Sequence, residues 1–218
     1  MLRNHDSTLQ ITRLSGEAIS QLSPSFQLLP HTSHADGEYR LRRYSVVRYI
    51  NDKVVATDKN EFVQSEEINH FQGDIIRQFE SLLDATLTSD GMREMCRLFV
   101  ESNDLPNGQE IEIHQIRISA IFDETQVAPE GVHQDGFDHI ALIGIGRHNI
   151  VGGEIMLYSD SHEAPFFCKV LENGEVALLA DKHLWHNACP IRTVDNAQGG
   201  HMDLFVLTAK EGIDELHS

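Results

Sequence analysis

Positive charge is scarce in this chain. Its 218 residues include 17 lysines and arginines against 34 aspartates and glutamates, a formal net charge of −17 with the histidines neutral. A surface so negative repels phosphate backbones and anionic membranes. We therefore expect neither nucleic acid nor a membrane as a partner, and the acidity by itself says nothing about a substrate.

Cysteines and long apolar runs are also few. The three cysteines, Cys96, Cys168 and Cys189, include no CxxC pair and make no disulfide framework, which fits a reduced, cytoplasmic setting. No apolar run is long enough to cross a bilayer, and no apolar segment follows the polar start Met1–Asp6 to indicate a secretory signal. Length and composition predict a single domain over residues 1–218.

The first half of the chain mixes short elements. Two prolines limit a helix near the start to about Gly16–Leu22, and a glycine turn followed by alternating residues predicts a strand over Asp36–Tyr49. Apolar residues at three- and four-residue steps predict a helix over Asp74–Asp84. A second helix is predicted over Asp90–Ser102, where Ser89 offers an N-cap oxygen.

After residue 108 the pattern changes to short strands separated by glycine-containing turns. The predicted strands are Ile111–Ile121, His139–Gly146, Gly153–Tyr158, Phe166–Leu171, Glu175–Ala180, the Leu184–His186 region and His201–Ala209. Short strands at this spacing predict a β-sandwich or jelly roll. The chain thus divides into an N-terminal elaboration of helices and strands, residues 1–108, and a β core, residues 109–212.

His133 and Asp135 stand two residues apart in the segment Gly131–Gly136. On an extended strand that spacing points both side chains to the same face. A third ligand from a distant strand would complete a two-histidine, one-carboxylate face, which suits Fe(II) because three positions stay open for substrate and oxygen. The spacing alone is weak in a chain with 13 histidines. Two polar residues at a loop edge are therefore the alternative interpretation.

Eight short segments between about Gly37 and Lys210 share the order and separations of one known family. They are Arg40–Ser45, Gln64–Asn69, Arg77–Phe79, His114–Arg117, His133–Asp135, Asn149–Gly153, His186–Ile191 and Asp203–Thr208. Together they resemble the bacterial Fe(II)/2-oxoglutarate-dependent amino-acid hydroxylases of the L-isoleucine dioxygenase type. No single segment is specific, whereas the whole series is.

The resemblance implies a double-stranded β-helix of the cupin type, mainly β with flanking helices. It also implies that His133, Asp135 and His186 are the catalytic metal ligands. On one strand His183 would face away from His186, because the two are three residues apart. In the implied reaction 2-oxoglutarate chelates Fe(II), O2 fills the last position, and oxidative decarboxylation drives hydroxylation of an unactivated C–H bond of a free L-amino acid or similar small metabolite.

One position departs from the family pattern. The family has an arginine directly before the aspartate of the last segment, where it pairs with the distal carboxylate of 2-oxoglutarate; here Met202 precedes Asp203. Methionine has neither a charge nor a strong donor. Either Arg117, Arg147 or Arg192 takes over this pairing, or the cosubstrate differs, or the activity is lost.

An amino-acid substrate needs a cation for its carboxylate and an apolar wall for its side chain. The candidates for its polar end are Arg42, Arg77, Gln78, Gln115 and Arg117. Two other functions stay open. One is a non-catalytic cupin-type metal-binding protein, which Met202 favours, and the other is a zinc hydrolase, for which the chain has no HExxH motif.

Overall fold

The computed structural model describes residues 9–32, 35–59, 61–62, 77–121, 123–179 and 184–211. The strands are β1 (Leu9–Arg13), β2 (Arg40–Ile50), β3 (Lys53–Ala56), β4 (Glu61–Phe62), β5 (Arg77–Gln78), β6 (Gln109–Ala120), β7 (His139–His148), β8 (Ile150–Gly152), β9 (Ile155–Tyr158), β10 (Phe167–Lys169), β11 (Glu175–Leu179), β12 (Trp185–Ala188), β13 (Ile191–Thr193) and β14 (Gly200–Ala209). The helices are α1 (Gly16–Leu22), a 3-10 helix (Ser23–Leu28), α2 (Asp84–Leu87) and α3 (Asp90–Ser102).

One large sheet forms the main wall of the fold. Seven strands pair antiparallel in the order β1-β11-β7-β14-β6-β2-β3. The sheet is buried on both faces: in β6, Ile111 and Ile113 pack towards the helices, whereas Ile116 and Ile118 pack on the opposite side. Burial on both faces explains why its strands carry apolar residues at so many consecutive positions.

Shorter strands form the facing wall. β9 lies between β10 and β12, and β8 pairs with β13. Two isolated bridges, Thr125 with Ile191 and His133 with His186, attach the connection between β6 and β7 to this wall. A cavity lies between the two walls, and buried aliphatic residues surround it. This architecture confirms the predicted double-stranded β-helix with a mainly β composition.

The helices α1 and α3 and the 3-10 helix cover the outer face of the large sheet. Phe26 and Phe99 share one buried cluster with Phe205 of β14. The side chain of Ser89 accepts a hydrogen bond from the N–H of Met92 at 3.1 Å and so caps α3, as predicted. The predicted bounds of α1 and α3 are confirmed.

The predicted helix over Asp74–Asp84 is wrong for the part that the structure describes. Residues 77–78 form a short strand, and residues 79–83 are neither helix nor strand; residues 74–76 lie outside the described chain. Phe79 packs against Tyr44 and Val46, whereas Leu82 joins the helix-side cluster. Phe79 and Leu82, three residues apart, are therefore buried in two separate clusters and not along one face of a helix.

The predicted N-terminal elaboration, residues 1–108, and the predicted core, residues 109–212, share one sheet. β1 pairs with β11, and β2 pairs with β6, so each part completes the other. This pairing supports a single domain over residues 1–218, which stays a prediction. In the described part of the chain, no helix combines the length and the apolarity that spanning a membrane would require.

Candidate metal centre and its cavity

His133 and His186 meet because their backbones pair in the shorter wall. Each backbone N–H donates to the carbonyl oxygen of the other residue at 2.9 Å. This bridge fixes both backbones and places the two ring centroids 4.2 Å apart. Both side chains are buried. This backbone pairing therefore holds two residues that are far apart in the sequence side by side.

Asp135 completes the group. Its Oδ2 lies 3.0 Å from His186 Nε2, and its Oδ1 lies 3.5 Å from His133 Nε2. One ligand atom from each of the three side chains lies within 4.8 Å of the others, so the group could hold one metal ion. The structure thus brings together the two-residue motif and the distant histidine that the sequence analysis joined to it.

The hydrogen bond of His133 Nδ1 decides which ring nitrogen could face a metal. Nδ1 lies 2.7 Å from the carbonyl oxygen of Gly131, which only accepts, so Nδ1 carries a proton. In the neutral ring the lone pair is then on Nε2, the atom nearest Asp135. Such a second partner fixes the orientation of metal-binding imidazoles. The donor set of two imidazoles and one carboxylate fits Fe(II).

These side chains also change the proton affinity of one another. Burial lowers the pKa of His133, but the hydrogen bond and charge of Asp135, together with Glu130, raise it to about 9. Burial raises the pKa of Asp135, but His186 and His133 hold it well below its ordinary value. Without a metal, Asp135 is therefore a carboxylate and His133 is protonated at neutral pH.

The triad faces a cavity whose floor is the inner face of the large sheet. Residues paired on neighbouring antiparallel strands point to the same side of a sheet, so the inner residues form rows. The first row, from β2 through β6 and β14 to β7, is Arg40, Ile118, Met202 and Arg147. The second row, in the same strand order, is Arg42, Ile116, Leu204 and Gly144. The middle of the floor is apolar, and arginines stand at its two sides.

A β-bulge turns Arg147 towards this cavity. The register between β14 and β7 shifts between Asp203 and Leu204, which leaves Ile145 as an additional residue in β7. Strict alternation would place Arg147 beside Ile145 on the helix-facing side. Because of the additional residue, Arg147 instead points to the inner face of the sheet. There it pairs with Met202, and both residues line the cavity.

Arg147 is the one cosubstrate candidate of the three that lines the cavity. Arg117 points to the opposite face of the sheet, where its Nε and Nη2 donate to the two carboxylate oxygens of Asp203 at 2.7 and 2.9 Å. Arg192 is exposed on β13, while its neighbour Ile191 is fully buried. Neither Arg117 nor Arg192 is in position to contact a ligand in the cavity.

Among the substrate candidates, Arg42 is buried and lines the cavity. Gln115 is fully buried on the helix-facing side, where its Nε2 donates to Ser25 Oγ at 2.7 Å, so it does not reach a ligand. Gln78 is exposed on β5, away from the cavity lining. The side chain of Arg77 lies outside the described part of the structure.

Several charged residues of the cavity escaped the sequence analysis. Glu130 Oε1 lies 3.2 Å from His133 Nε2, and Asp36 Oδ2 lies 3.5 Å from Arg40 Nε. Arg40 had a usable signal, because it stands two residues from Arg42 on an alternating strand and so shares its face. Glu130 and Asp36 lie in loops, where spacing carries no comparable information.

Comparison with known sequences gives the cavity a context. The family model described as 2OG-Fe dioxygenase matches residues 23–208. L-isoleucine-4-hydroxylase of Bacillus thuringiensis is 25% identical over 169 residues, which cover 73% of this chain and 70% of that protein.

Solved structures share the fold. A bsmA homolog from Methylobium petroleophilum PM1 has a TM-score of 0.75 at 25% identity, over 90% of this chain and 82% of that one. IDO from Bacillus thuringiensis has a TM-score of 0.72 at 20% identity, over 93% of this chain and 90% of that one. The family model spans most of the chain, and the donor set beside the cavity fits the iron that its description names. The chain therefore belongs to the 2OG-Fe dioxygenase family, non-haem enzymes that use Fe(II), 2-oxoglutarate and O2.

Proposed function

We propose that this enzyme hydroxylates an unactivated C–H bond of a free aliphatic amino acid or a similar small metabolite, with His133, Asp135 and His186 as its Fe(II) ligands. The observation that carries the proposal is the cavity beside these residues, whose apolar floor has arginines at two sides. The similarity to L-isoleucine-4-hydroxylase supports the same class of substrate.

The side of the cavity formed by β2 suits a carboxylate. Arg40 and Arg42 both point inward from alternate positions of this strand and are buried. Asp36 neutralises part of the charge of Arg40. The guanidinium carbon of Arg42 lies 5.2 Å from the ring centre of Phe79, a contact that holds the side chain in place. We assign the substrate carboxylate to Arg42, because a guanidinium can pair with it through two parallel hydrogen bonds.

The same side of the cavity also has negative charge for an ammonium group. Burial raises the pKa of Tyr39. The charges of Arg40 and Arg42 lower this pKa, and the charges of Asp36 and Glu130 raise it. These four charged residues line the cavity, so both signs of charge occur on this side of it. A zwitterion can interact with both signs of charge, whereas a simple carboxylic acid can interact only with the arginines.

The floor between the charged sides accepts an aliphatic side chain. Ile116, Leu142, Leu204 and Val206 line it, and each buried methylene of a ligand would contribute about 0.8 kcal/mol. Bound iron, with 2-oxoglutarate and O2, supplies the oxidation of the C–H bond. The protein orients that bond towards the metal and keeps water away from it.

An activity assay tests the proposed substrate class. Protein with Fe(II) and 2-oxoglutarate is exposed to O2 with single L-amino acids, and succinate and hydroxylated product are measured. We expect aliphatic L-amino acids to stimulate succinate formation and to gain one oxygen atom. The carboxamides of the same amino acids are the matched controls and should be inactive, because they lack the anion that Arg42 binds. Equal turnover of acids and carboxamides would contradict the assigned recognition.

One observation favours a second function. Met202 removes the cation that the family resemblance places beside the cosubstrate, as expected in a non-catalytic or altered-cosubstrate metal-binding protein. Anaerobic addition of 2-oxoglutarate to the Fe(II) protein separates the two. A weak charge-transfer band in the visible range means chelated 2-oxoglutarate and supports the hydroxylase. Bound metal without this band supports the second function.

Iron binding is expected to release about one proton near neutral pH. The pKa of His133 is raised to about 9 without metal, so Fe(II) must displace a proton from this ring. The contacts that raise this pKa stabilise the protonated ring and, with it, the folded metal-free protein. This contribution to stability is lost as pH rises through about 9. Anaerobic calorimetric titration in two buffers of different ionisation enthalpy measures the release. Proton-neutral binding at pH 7 would contradict the protonated state of His133.

A further inference from the structure

The distal carboxylate of 2-oxoglutarate needs a partner in this cavity. The cosubstrate has two carboxylates, and chelation of iron at His133, Asp135 and His186 would use only one of them. A carboxylate buried without a cation or hydrogen-bond donors is strongly disfavoured. Met202 supplies neither, so another residue of the chain has to do so.

Three guanidinium groups line the cavity in the described part of the chain, those of Arg40, Arg42 and Arg147. Arg40 faces Asp36, and Arg42 is its neighbour on the same edge of the floor. Arg147 stands on the opposite edge, three strands away from Arg40 in the same row. At about 4.8 Å per strand the two edges lie roughly 14 Å apart, so two carboxylate ligands can bind without competing for one cation.

The contacts of Arg147 leave its charge available. Its Nη2 donates to the carbonyl oxygen of Gly152 at 2.8 Å, which fixes the side chain. Within the described residues, no carboxylate oxygen lies within 4.0 Å of its guanidinium. Burial lowers the pKa of Arg147, partly offset by the charge of Glu154, so an anionic ligand would relieve a desolvated cation.

The guanidinium of Arg147 also occupies the space beside position 202. Its Nη1 lies 3.8 Å from the sulfur of Met202. Gly153 keeps this space open: a Cβ at Gly153 would lie 3.0 Å from that sulfur and 3.2 Å from Nη1, and its φ of +78° favours glycine. Position 202 and Arg147 thus present their ends to one small volume of the cavity.

We propose that Arg147 binds the distal carboxylate of 2-oxoglutarate, so that β7 supplies the guanidinium that the family resemblance places on β14. The inference rests on the proposed Fe(II) site and on the cosubstrate, but not on the identity of the amino acid. Met202 has no charge, and the N–H groups of Arg147 that do not bind Gly152 can donate two parallel hydrogen bonds to the carboxylate.

A charge swap between the two positions tests this inference. Fluorescence of the single tryptophan, Trp185, next to His186, reports anaerobic ligand binding to the Fe(II) protein. Two ligands are compared: 2-oxoglutarate, and 2-oxobutanoate, which chelates alike but has no distal carboxylate. We expect Arg147→Met to weaken 2-oxoglutarate binding about a hundredfold and to leave 2-oxobutanoate binding unchanged. Arg147→Met/Met202→Arg should recover most of the lost affinity.

Arg192→Met is the matched control, because Arg192 is exposed and outside the cavity lining. It should bind both ligands as the wild type does. If Arg147→Met does not fold, as judged by circular dichroism, Arg147→Lys replaces it and should weaken 2-oxoglutarate binding alone. Unchanged 2-oxoglutarate affinity in either Arg147 variant, or equal losses for both ligands, would overturn the inference. A wild type that binds Fe(II) but not 2-oxoglutarate would contradict the proposed function as well.

Discussion

His186→Ala is expected to abolish stoichiometric Fe(II) binding and, with it, turnover of 2-oxoglutarate. The variant keeps His133 and Asp135 but removes the only proposed ligand from β12. Mutation of a residue that only orients a metal ligand costs about ten- to a hundredfold in metal affinity. Removal of a ligand itself should therefore cost about a hundredfold or more. Anaerobic titration followed by iron analysis of the desalted protein measures the loss.

The chain offers a matched control for this variant. His201 lies on β14, half-buried, with its Nε2 3.8 Å from Asp203 Oδ2 and away from the cavity lining. His201→Ala should retain one iron per chain. Circular dichroism should be unchanged in His186→Ala, because the backbone bridge to His133 does not depend on the side chain. One tightly held iron per chain in His186→Ala would refute the ligand assignment.

Phe205→Ala is expected to lower the free energy of unfolding by about 3–5 kcal/mol. Phe205 is fully buried at the point where β14 meets the helices, and its ring meets Phe26 edge-on at a centroid distance of 5.0 Å. Its removal therefore leaves a cavity in the cluster that joins the 3-10 helix to the sheet. Urea unfolding followed by circular dichroism measures the change.

Phe166→Ala is the control for this second prediction. Phe166 is 54% exposed just before β10, so the same substitution there should change the stability by less than about 0.5 kcal/mol. If residues 1–218 form one domain, Phe205→Ala should shift a single unfolding transition. Two separate transitions, with only one of them shifted, would contradict the single-domain prediction.

Periodicity and local capping predicted most of the fold. α3 has a regular apolar stripe and a capping serine, and both signals are local, so its bounds are correct. The strands of the β core follow the apolar runs between glycine turns. The convergence of His133, Asp135 and His186 required more than periodicity, because no local pattern joins β12 to a loop far before it. The resemblance in order and separation of the segments supplied that link.

The direction of individual side chains was harder to predict. Gln115 and Arg117 were candidates on account of their residue types, yet they stand on the helix-facing side of β6, where the strand is also buried. A strand buried on both faces has no polar side to show which way its residues point. Arg147 could not be chosen over the other candidates, because alternation alone turns it outward.

The additional residue Ile145 affects whether a sequence alignment can identify the arginine in the cavity. For the proposed role of Arg147, the residue count of β7 matters as much as the chemistry of the side chain, because the bulge places that side chain in the cavity. An alignment that inspects only position 202 would find no arginine there, although the guanidinium of Arg147 lies 3.8 Å from the sulfur of Met202. Loss of one residue from β7 would remove the bulge, and alternation would then turn the side chain of Arg147 to the helix-facing side of the sheet.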